Sequence, residues 1–201
     1  MTLYSTIVAD PPWPYKTPGQ IGASLEHRPN RDKTLGAGNA GSRSRYGAMP
    51  IEDLCAINVP AADNAHLYLW FTNTFAVEAH TIGKAWGFRP MTILTWTKTR
   101  QADGQPSMKM GYYFRGATEH VLFAVRGSLR LRTKRALPTG WLWPREPHSV
   151  KPEAFYALVE EASHPSYLEL FARRNRLGWD SWGNECLSVE LDTPSGDNGR
   201  G

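Results

Sequence analysis

Four consecutive residues near the start of the chain carry the clearest chemical potential: Asp10, Pro11, Pro12 and Trp13. They follow an apolar run over residues 3–9, which predicts a short buried strand. Proline fixes its own φ and restricts the residue before it, so Asp10 stands at the strand end on a stiff peptide. The Asp10 carboxylate and the Pro11 carbonyl can each accept one hydrogen of an exocyclic amino group. Trp13 adds a flat face for a nucleobase.

This arrangement suits an adenine that has left its base stack and is held by its amino group. A rigid turn with a tryptophan in the core is the alternative, since proline is common in turns. The ligand-binding interpretation is favoured because Asp10 follows a predicted strand, and open α/β sheets bind ligands at the carboxyl ends of their strands.

Apolar runs and amphipathic stretches predict the elements that must position this motif. Further strands are predicted over residues 65–71, 91–96, 120–126, 167–171 and 179–182, and helices over residues 50–57, 75–86 and 152–162. Gly87 follows the second helix and is expected to adopt left-handed backbone geometry. Asn73 and Lys98 follow the second and third strands, so both are expected on the ligand side of the sheet.

Two long loops combine basic and aromatic residues. Residues 14–49 are polar and basic, which predicts either a mobile lid that touches phosphates or a solvated insertion. Tyr46, near the far end of this loop, is a candidate second stacking ring. Residues 99–117 carry Tyr113 and Arg115, a mixture that suits nucleic-acid contact, although a packed loop is the alternative.

A third basic segment contains Arg130 and Arg132, which alternate with leucines. A strand here would place both guanidinium groups on one face, where they could contact a phosphate backbone. A solvated, charged edge strand is the competing interpretation.

Lys151 directly precedes Pro152, which fits the first position of the last predicted helix. A cation at the positive end of a helix is unfavourable by about 0.3–1 kcal/mol. The position therefore suggests that an anion binds there, unless the lysine side chain bends away into solvent.

The composition indicates one globular domain, predicted over residues 1–185, with a disordered tail over residues 186–201. The net charge of +4 permits an anionic partner without requiring one. Cys55 and Cys186 lack metal-ligand spacing, so no metal site is expected and a reducing cytoplasm is favoured. No apolar run is long enough to span a bilayer.

Beyond the first motif, the sequence resembles the MT-A70 family of adenine-N6 methyltransferases. The resemblance runs in order from Asp10 to Glu185, through the blocks Tyr46–Met49, Leu67–Asn73, Trp86–Phe88, Trp96–Lys98, Gly111–Gly127, His148–Pro152, Leu168–Arg173 and Trp182–Glu185. It implies an α/β fold, a single Rossmann-like class I methyltransferase domain. Its strands are expected to be circularly reordered, with the catalytic strand first and the cofactor strands late.

The resemblance also implies S-adenosylmethionine as the cofactor. Asp10 would accept an N6 hydrogen and touch the cofactor, the Pro11 carbonyl would accept another hydrogen, and Trp13 would flank the base. The remaining implied cofactor contacts are Lys151 for the carboxylate, Arg173 and Asn175 for the ribose, and Asn184 and Glu185 for the adenosine end. Two features depart from the family pattern: only nine residues precede Asp10, and residues 171–173 lack the glycines of many methyltransferases.

The implied activity is adenine-N6 methylation of DNA by a bacterial or phage cytoplasmic enzyme, a choice that the compact chain favours. RNA methylation and a non-catalytic nucleic-acid-binding subunit are the alternatives. Cytosine-N4 transfer is a lesser one, because the motif begins with Asp rather than Ser. A homodimer and a complex with a partner subunit are both compatible with the sequence.

Overall fold

A computed structural model of the chain describes residues 2–15, 48–109, 113–146 and 150–183, together with Cys186 and Val189. These residues form seven strands and three α-helices. In chain order they are β1 (Tyr4–Ala9), α1 (Ile51–Ala56), β2 (Ala61–Phe71), α2 (Ala76–Ala85), β3 (Arg89–Thr99), β4 (Thr118–Arg126), β5 (Gly140–Pro144), α3 (Glu153–Ala162), β6 (Tyr167–Leu170) and β7 (Trp179–Trp182). A 3₁₀ turn, Asn73–Phe75, leads into α2.

The seven strands form one sheet in the order β5-β3-β4-β2-β1-β6-β7. Within this described sheet, β4 runs antiparallel to its neighbours β2 and β3, and every other pairing is parallel. Six strands therefore end at one edge of the sheet, which we call the carboxyl edge, and β4 begins there. Asp10, Asn73 and Lys98 reach this edge from the ends of β1, β2 and β3, as the sequence predicts.

Each face of the sheet packs a hydrophobic cluster, because side chains alternate between faces along a strand. Ile7, Leu67 and Leu69 pack with Ile82 of α2 on one face. Val8, Tyr68, Trp70 and Phe155 of α3 pack on the other. Burying a large apolar side chain contributes roughly 1.5–3 kcal/mol, so the central strands β1 and β2 are held from both sides.

Gly87 ends α2 with φ of 82°, as the sequence predicts. Its N–H donates to the Lys84 carbonyl at 2.9 Å, and the Phe88 N–H donates to the Gly83 carbonyl at 2.9 Å. These two bonds form a Schellman motif, which satisfies carbonyls left open at the helix end. The turn directs the chain into β3.

The α/β fold and the predicted strands and helices are confirmed, with β2 and β3 extending beyond their predicted ends. Three differences stand out. β5 is not among the predicted strands, α3 begins at Glu153 with Pro152 as its N-cap, and the strand considered around Arg130 and Arg132 does not form. The circular reordering stays an inference from the resemblance.

The predicted tail falls largely outside the described residues. Within them, Val189 lies against the cluster on the α2 face, and its N–H donates to the Ser181 carbonyl at 2.8 Å. None of the helices in the described ranges has the length and apolar character needed to cross a lipid bilayer.

Candidate active site

The backbone after β1 is held by local and long-range hydrogen bonds. The Trp13 N–H donates to the Pro11 carbonyl at 2.9 Å, and the Met49 N–H donates to the Pro12 carbonyl at 2.9 Å. The two prolines have no N–H of their own. The segment therefore presents carbonyl oxygens beside Asp10, and the Pro11 oxygen keeps a second lone pair for another donor.

Lys151 connects Asp10 to the start of β4. Its Nζ lies 3.0 Å from Asp10 Oδ2 and 3.1 Å from Glu119 Oε2, and it stands 4.7 Å from the centre of the Trp70 ring. The lysine side chain is only 10% exposed. Two carboxylates compensate its charge, so the anion that the sequence suggests at this position is supplied at least in part by the protein itself.

Glu119 also contacts a second lysine. Its Oε1 pairs with Nζ of Lys98, whose side chain is 7% exposed and lies 4.7 Å from the centre of the Trp96 ring. Asp10, Lys151, Glu119 and Lys98 therefore form a row of alternating charges along the carboxyl edge. We call this row the charge row.

Burial and charge act in opposite directions within the charge row. Burial by itself would raise the pKa of Glu119, but Lys151 and Lys98 lower it to about 2. Burial disfavours the charged form of Lys151, yet Asp10 and Glu119 raise its pKa above the usual value. Burial lowers the pKa of Lys98, against the effect of Glu119. Glu119 and Lys151 are therefore ionised at neutral pH.

Trp13 lies in the core and does not offer an open face. It is 6% exposed, it stacks on Phe75 at 4.9 Å between ring centres, and its Nε1 donates to the Trp70 carbonyl at 3.1 Å. Of the two interpretations of Trp13 that the sequence allows, a core tryptophan in a rigid turn agrees with the structure, and an open face for a nucleobase does not. Tyr15, two residues on, is 54% exposed and packs edge-on against Phe75. Its position two residues after Trp13 is the feature of the sequence that could have identified Tyr15 as a candidate stacking residue.

Asn73 takes part in a polar network beside the charge row. Its Oδ1 accepts a hydrogen bond from Nε2 of His120, and the Thr95 hydroxyl donates to Nδ1 of the same ring at 3.0 Å. Burial lowers the pKa of His120. The neutral imidazole therefore serves as donor and acceptor at once, which fixes the Asn73 amide at the carboxyl edge. Neither His120 nor Glu119 is singled out by the sequence.

Buried polar groups lie on the α3 face next to Asp10. Glu169 pairs in register with Val8 of β1 and Ser181 of β7, and its Oε1 accepts the Tyr156 hydroxyl at 2.7 Å. Burial raises the pKa of Glu169. Among the described residues, the buried Ser181 hydroxyl and Trp70 Nε1 have no hydrogen-bond partner. Donors and a carboxylate in this position fit a small molecule that carries hydroxyl and ammonium groups.

The residues predicted to hold the cofactor are placed only in part. Arg173 and Asn175 are exposed and follow β6 at the carboxyl edge. Lys151 meets Asp10 as described. Asn184 and Glu185, like Tyr46 among the substrate residues, lie outside the described residues.

The predicted nucleic-acid contacts fall at both edges of the sheet. Tyr113 is 82% exposed, and Arg115 is exposed beside it, in the loop that joins β3 to β4 at the carboxyl edge. Arg130 and Arg132 are exposed but come after the end of β4, at the opposite edge. The antiparallel direction of β4 separates them from Asp10. Lys98 is buried and paired with Glu119, so its ammonium is not open to a phosphate.

Comparison with known proteins gives a family match and several relatives. The MT-A70 family model matches residues 4–185. The chain is 28% identical to a Mycoplasma protein named Type II methyltransferase M.MunI, over 96% of this chain and 82% of that protein. It is 28% identical to N6-methyladenosine RNA methyltransferase MTA1 of Cryphonectria parasitica, over 94% of this chain and 53% of that protein. It is 25% identical to the N6-adenosine-methyltransferase non-catalytic subunit MTB of Arabidopsis thaliana, over 66% of this chain and 15% of that protein.

Proposed function

The chain belongs to the MT-A70 family, and we propose that it methylates the N6 amino group of adenine in DNA, with S-adenosylmethionine as the methyl donor. The observation that carries the proposal is the Asp10 carboxylate, held by Lys151 at the end of a central strand and followed by proline carbonyls. This geometry offers two adjacent acceptors to one amino group.

Asp10 can receive the adenine amino group while it stays paired. Lys151 contacts Oδ2, and an ionised carboxylate offers about four acceptor positions in total. The Pro11 carbonyl already accepts the Trp13 N–H, and its second lone pair can accept the other amino hydrogen. Together these acceptors would turn the amino nitrogen and fix its direction.

The chemistry that this chain must supply is alignment. S-adenosylmethionine, when bound, supplies an electrophilic methyl group. The adenine amino nitrogen is a weak nucleophile because its lone pair is delocalised into the ring. Hydrogen bonds to Asp10 and Pro11 raise its electron density and hold it in line, and such alignment and electrostatics can account for most of the rate. Asp10 does not need to act as a strong base, because the amino proton becomes acidic only as the methyl group transfers.

The cofactor would occupy the carboxyl edge beside Asp10. The residues that would hold it are Arg173 and Asn175, with Asn184 and Glu185 from the segment outside the described residues. Lys151, whose ammonium already contacts Asp10 and Glu119, would hold Asp10 beside the cofactor. The unpaired donors of Ser181 and Trp70 and the carboxylate of Glu169 support this assignment, because they give a polar ligand specific partners on the same face. Among the described residues that follow Asp10, the exposed ring of Tyr15 would serve as the platform for the base.

DNA is proposed over RNA on the pattern of similarity. The chain matches most of the length of the bacterial Type II methyltransferase, but about half of the fungal RNA methyltransferase. The exposed aromatic and basic side chains of Tyr113 and Arg115, beside the carboxyl edge, suit either nucleic acid.

Methyl transfer from labelled S-adenosylmethionine tests the proposal directly. Double-stranded DNA and RNA of the same sequence are incubated side by side and then digested to nucleosides. We expect label in N6-methyldeoxyadenosine. Label confined to RNA would support the proposed chemistry but refute DNA as the substrate. Label in neither nucleic acid, together with no cofactor binding, would favour a non-catalytic subunit.

Asp10→Ala is the matching variant, and Asp53→Ala is its control because Asp53 is exposed in the first turn of α1. Asp10→Ala should lower kcat by roughly 100-fold or more while the thermal transition stays cooperative, since a directed acceptor is lost. Near-normal turnover in this variant would remove Asp10 from the mechanism.

A further inference from the structure

We infer that Glu119 and Lys98 are positioning residues, which act on the reaction by holding the Lys151 ammonium against Asp10. The inference deepens the proposed function and rests on it. It assigns Lys98 a role different from the phosphate or substrate contact that the sequence predicts.

The two carboxylate oxygens of Glu119 contact different lysines. Oε1 pairs with Lys98, and Oε2 lies 3.1 Å from Nζ of Lys151. A carboxylate that bridges two ammonium groups fixes the position of each relative to the other. Because Lys98 comes from the end of β3 and Glu119 from the start of β4, the bridge is anchored on two strands paired in the sheet.

Lys151 is held in place through its side chain. The residue precedes the N-cap of α3, so its backbone is not part of the helix. Its ammonium is instead defined by three contacts: Asp10, Glu119 and the Trp70 ring. Without Glu119, Asp10 is the one anionic contact of Lys151 that would remain among the described residues, and the ammonium and the Asp10 carboxylate could then move together. Asp10 would then lose the fixed direction that alignment requires.

The charges within the charge row balance one another. Two carboxylates and two ammonium groups make the charge row neutral, and its side chains are 28% exposed or less. Removing Glu119 or Lys98 alone leaves a net charge in a mostly buried row. Removing both restores neutrality but not the bridge. The double variant therefore separates a role in positioning from a role in neutrality.

The ammonium of Lys98 is not accessible to a phosphate or a substrate. Its side chain is 7% exposed, and its ammonium lies between Glu119 and the face of Trp96. A phosphate would have to replace Glu119 to reach it. The exposed side chain of Arg115 has no such requirement.

The test compares four variants with wild type in the methyl-transfer assay: Glu119→Gln, Lys98→Met, the double variant, and Glu161→Gln as control. Glu161 is a helix residue whose partner, Arg135, is on the surface. We expect kcat to fall roughly 10- to 100-fold in both single variants, with KM for nucleic acid changed less than about threefold. The loss of kcat in the double variant should equal the loss in either single variant and should not be the product of the two losses, because both residues act through Lys151. Glu161→Gln should behave as wild type.

Three results would overturn the inference. One is a Glu119→Gln variant within twofold of wild-type kcat. Another is a double variant that recovers wild-type kcat, because the charge row would then need only to be neutral and the Glu119 bridge would have no role in positioning. The third is a Lys98→Met variant that has a normal kcat, a raised KM and a salt dependence of binding reduced by about one ion. These results together would show that Lys98 contacts a phosphate.

A measurement without substrate separates this inference from the proposed function. Side-chain nitrogen NMR on lysine-labelled protein follows Lys151, assigned with a Lys151→Met variant. Glu119→Gln should shift the Lys151 signal and speed its ammonium hydrogen exchange, and Glu161→Gln should do neither. Absence of methyl transfer in wild type, with the Lys151 signal responding as expected, would refute the proposed function but leave the contact intact. An unchanged Lys151 signal in Glu119→Gln would refute the positioning contact itself.

Discussion

Acid should weaken the fold more steeply when Glu119 is present than in the variant Glu119→Gln. Burial opposes ionisation of this carboxyl, yet Lys151 and Lys98 lower its pKa from a usual 4.5 to about 2. At about 1.4 kcal/mol for each pH unit, this difference corresponds to roughly 3 kcal/mol of unfolding free energy at neutral pH. Little of it should be screened by solvent, because the Glu119 side chain is only 17% exposed.

The sign follows from comparing the two states of the chain. Since the pKa of Glu119 is lower in the folded chain than in the unfolded chain, its stabilisation is complete above pH 4.5 and is lost as the pH falls through about 2. Between these values the unfolded chain binds one more proton. The unfolding free energy of wild type should therefore fall by up to about 1.4 kcal/mol per pH unit more than that of Glu119→Gln.

Urea unfolding followed by tryptophan fluorescence, from pH 6 to the lowest pH that keeps a two-state transition, measures this slope. We expect wild type to start above Glu119→Gln and to converge with it towards pH 2, because a protonated glutamate resembles glutamine. Glu161→Gln removes a carboxylate from an exposed ion pair, which contributes about 0–1 kcal/mol, and serves as control. Parallel curves for wild type and Glu119→Gln would refute the reasoning.

Three further predictions test other parts of the structure. Ser163→Ala should lower the unfolding free energy by about 1–3 kcal/mol in urea, because it leaves buried His66 without a 2.7 Å hydrogen bond; a loss under about 0.5 kcal/mol would contradict this. Gly127→Ala should cost at least about 1 kcal/mol more than Gly178→Ala, since both have positive φ but only a Cβ at Gly127 would meet a carbonyl oxygen, at 2.4 Å; equal losses would argue against the clash. Arg115→Ala should weaken DNA binding and reduce the salt slope by about one ion, and an unchanged slope would place Arg115 outside the interface.

The first strand and its motif could be predicted because their causes are local. A short apolar run predicts β1, and two prolines fix the direction of Asp10 regardless of the rest of the chain. Gly87 is similar, since a glycine at a helix end needs no distant partner to adopt positive φ. In contrast, β5 is five residues long and ends in proline, and its pairing with β3 spans a long connection. No local pattern distinguishes such a segment from a loop.

The contacts of Lys98, Arg130 and Arg132 could not be predicted because they also depend on residues far away in the sequence. Lys98 follows the strand predicted over residues 91–96, which suggests a ligand contact, but its partner Glu119 lies 21 residues away. Arg130 and Arg132 alternate with leucines as in a strand, yet Gly127 turns the chain at φ of 64° and the Arg132 N–H donates to the Ala162 carbonyl at 2.8 Å. In each case a long-range contact decides what a correct local observation means.

The reversed strand β4 explains why a carboxylate can meet both lysines. In a wholly parallel sheet, the residues that begin a strand lie at the edge opposite to the residues that end one. Because β4 is antiparallel, its first residues lie beside the last residues of β2 and β3. Glu119 therefore reaches the carboxyl edge from within a strand, where ladder hydrogen bonds fix its backbone. A loop residue would bring the same charge with less fixed geometry, so the direction of one strand gives the charge row its rigidity.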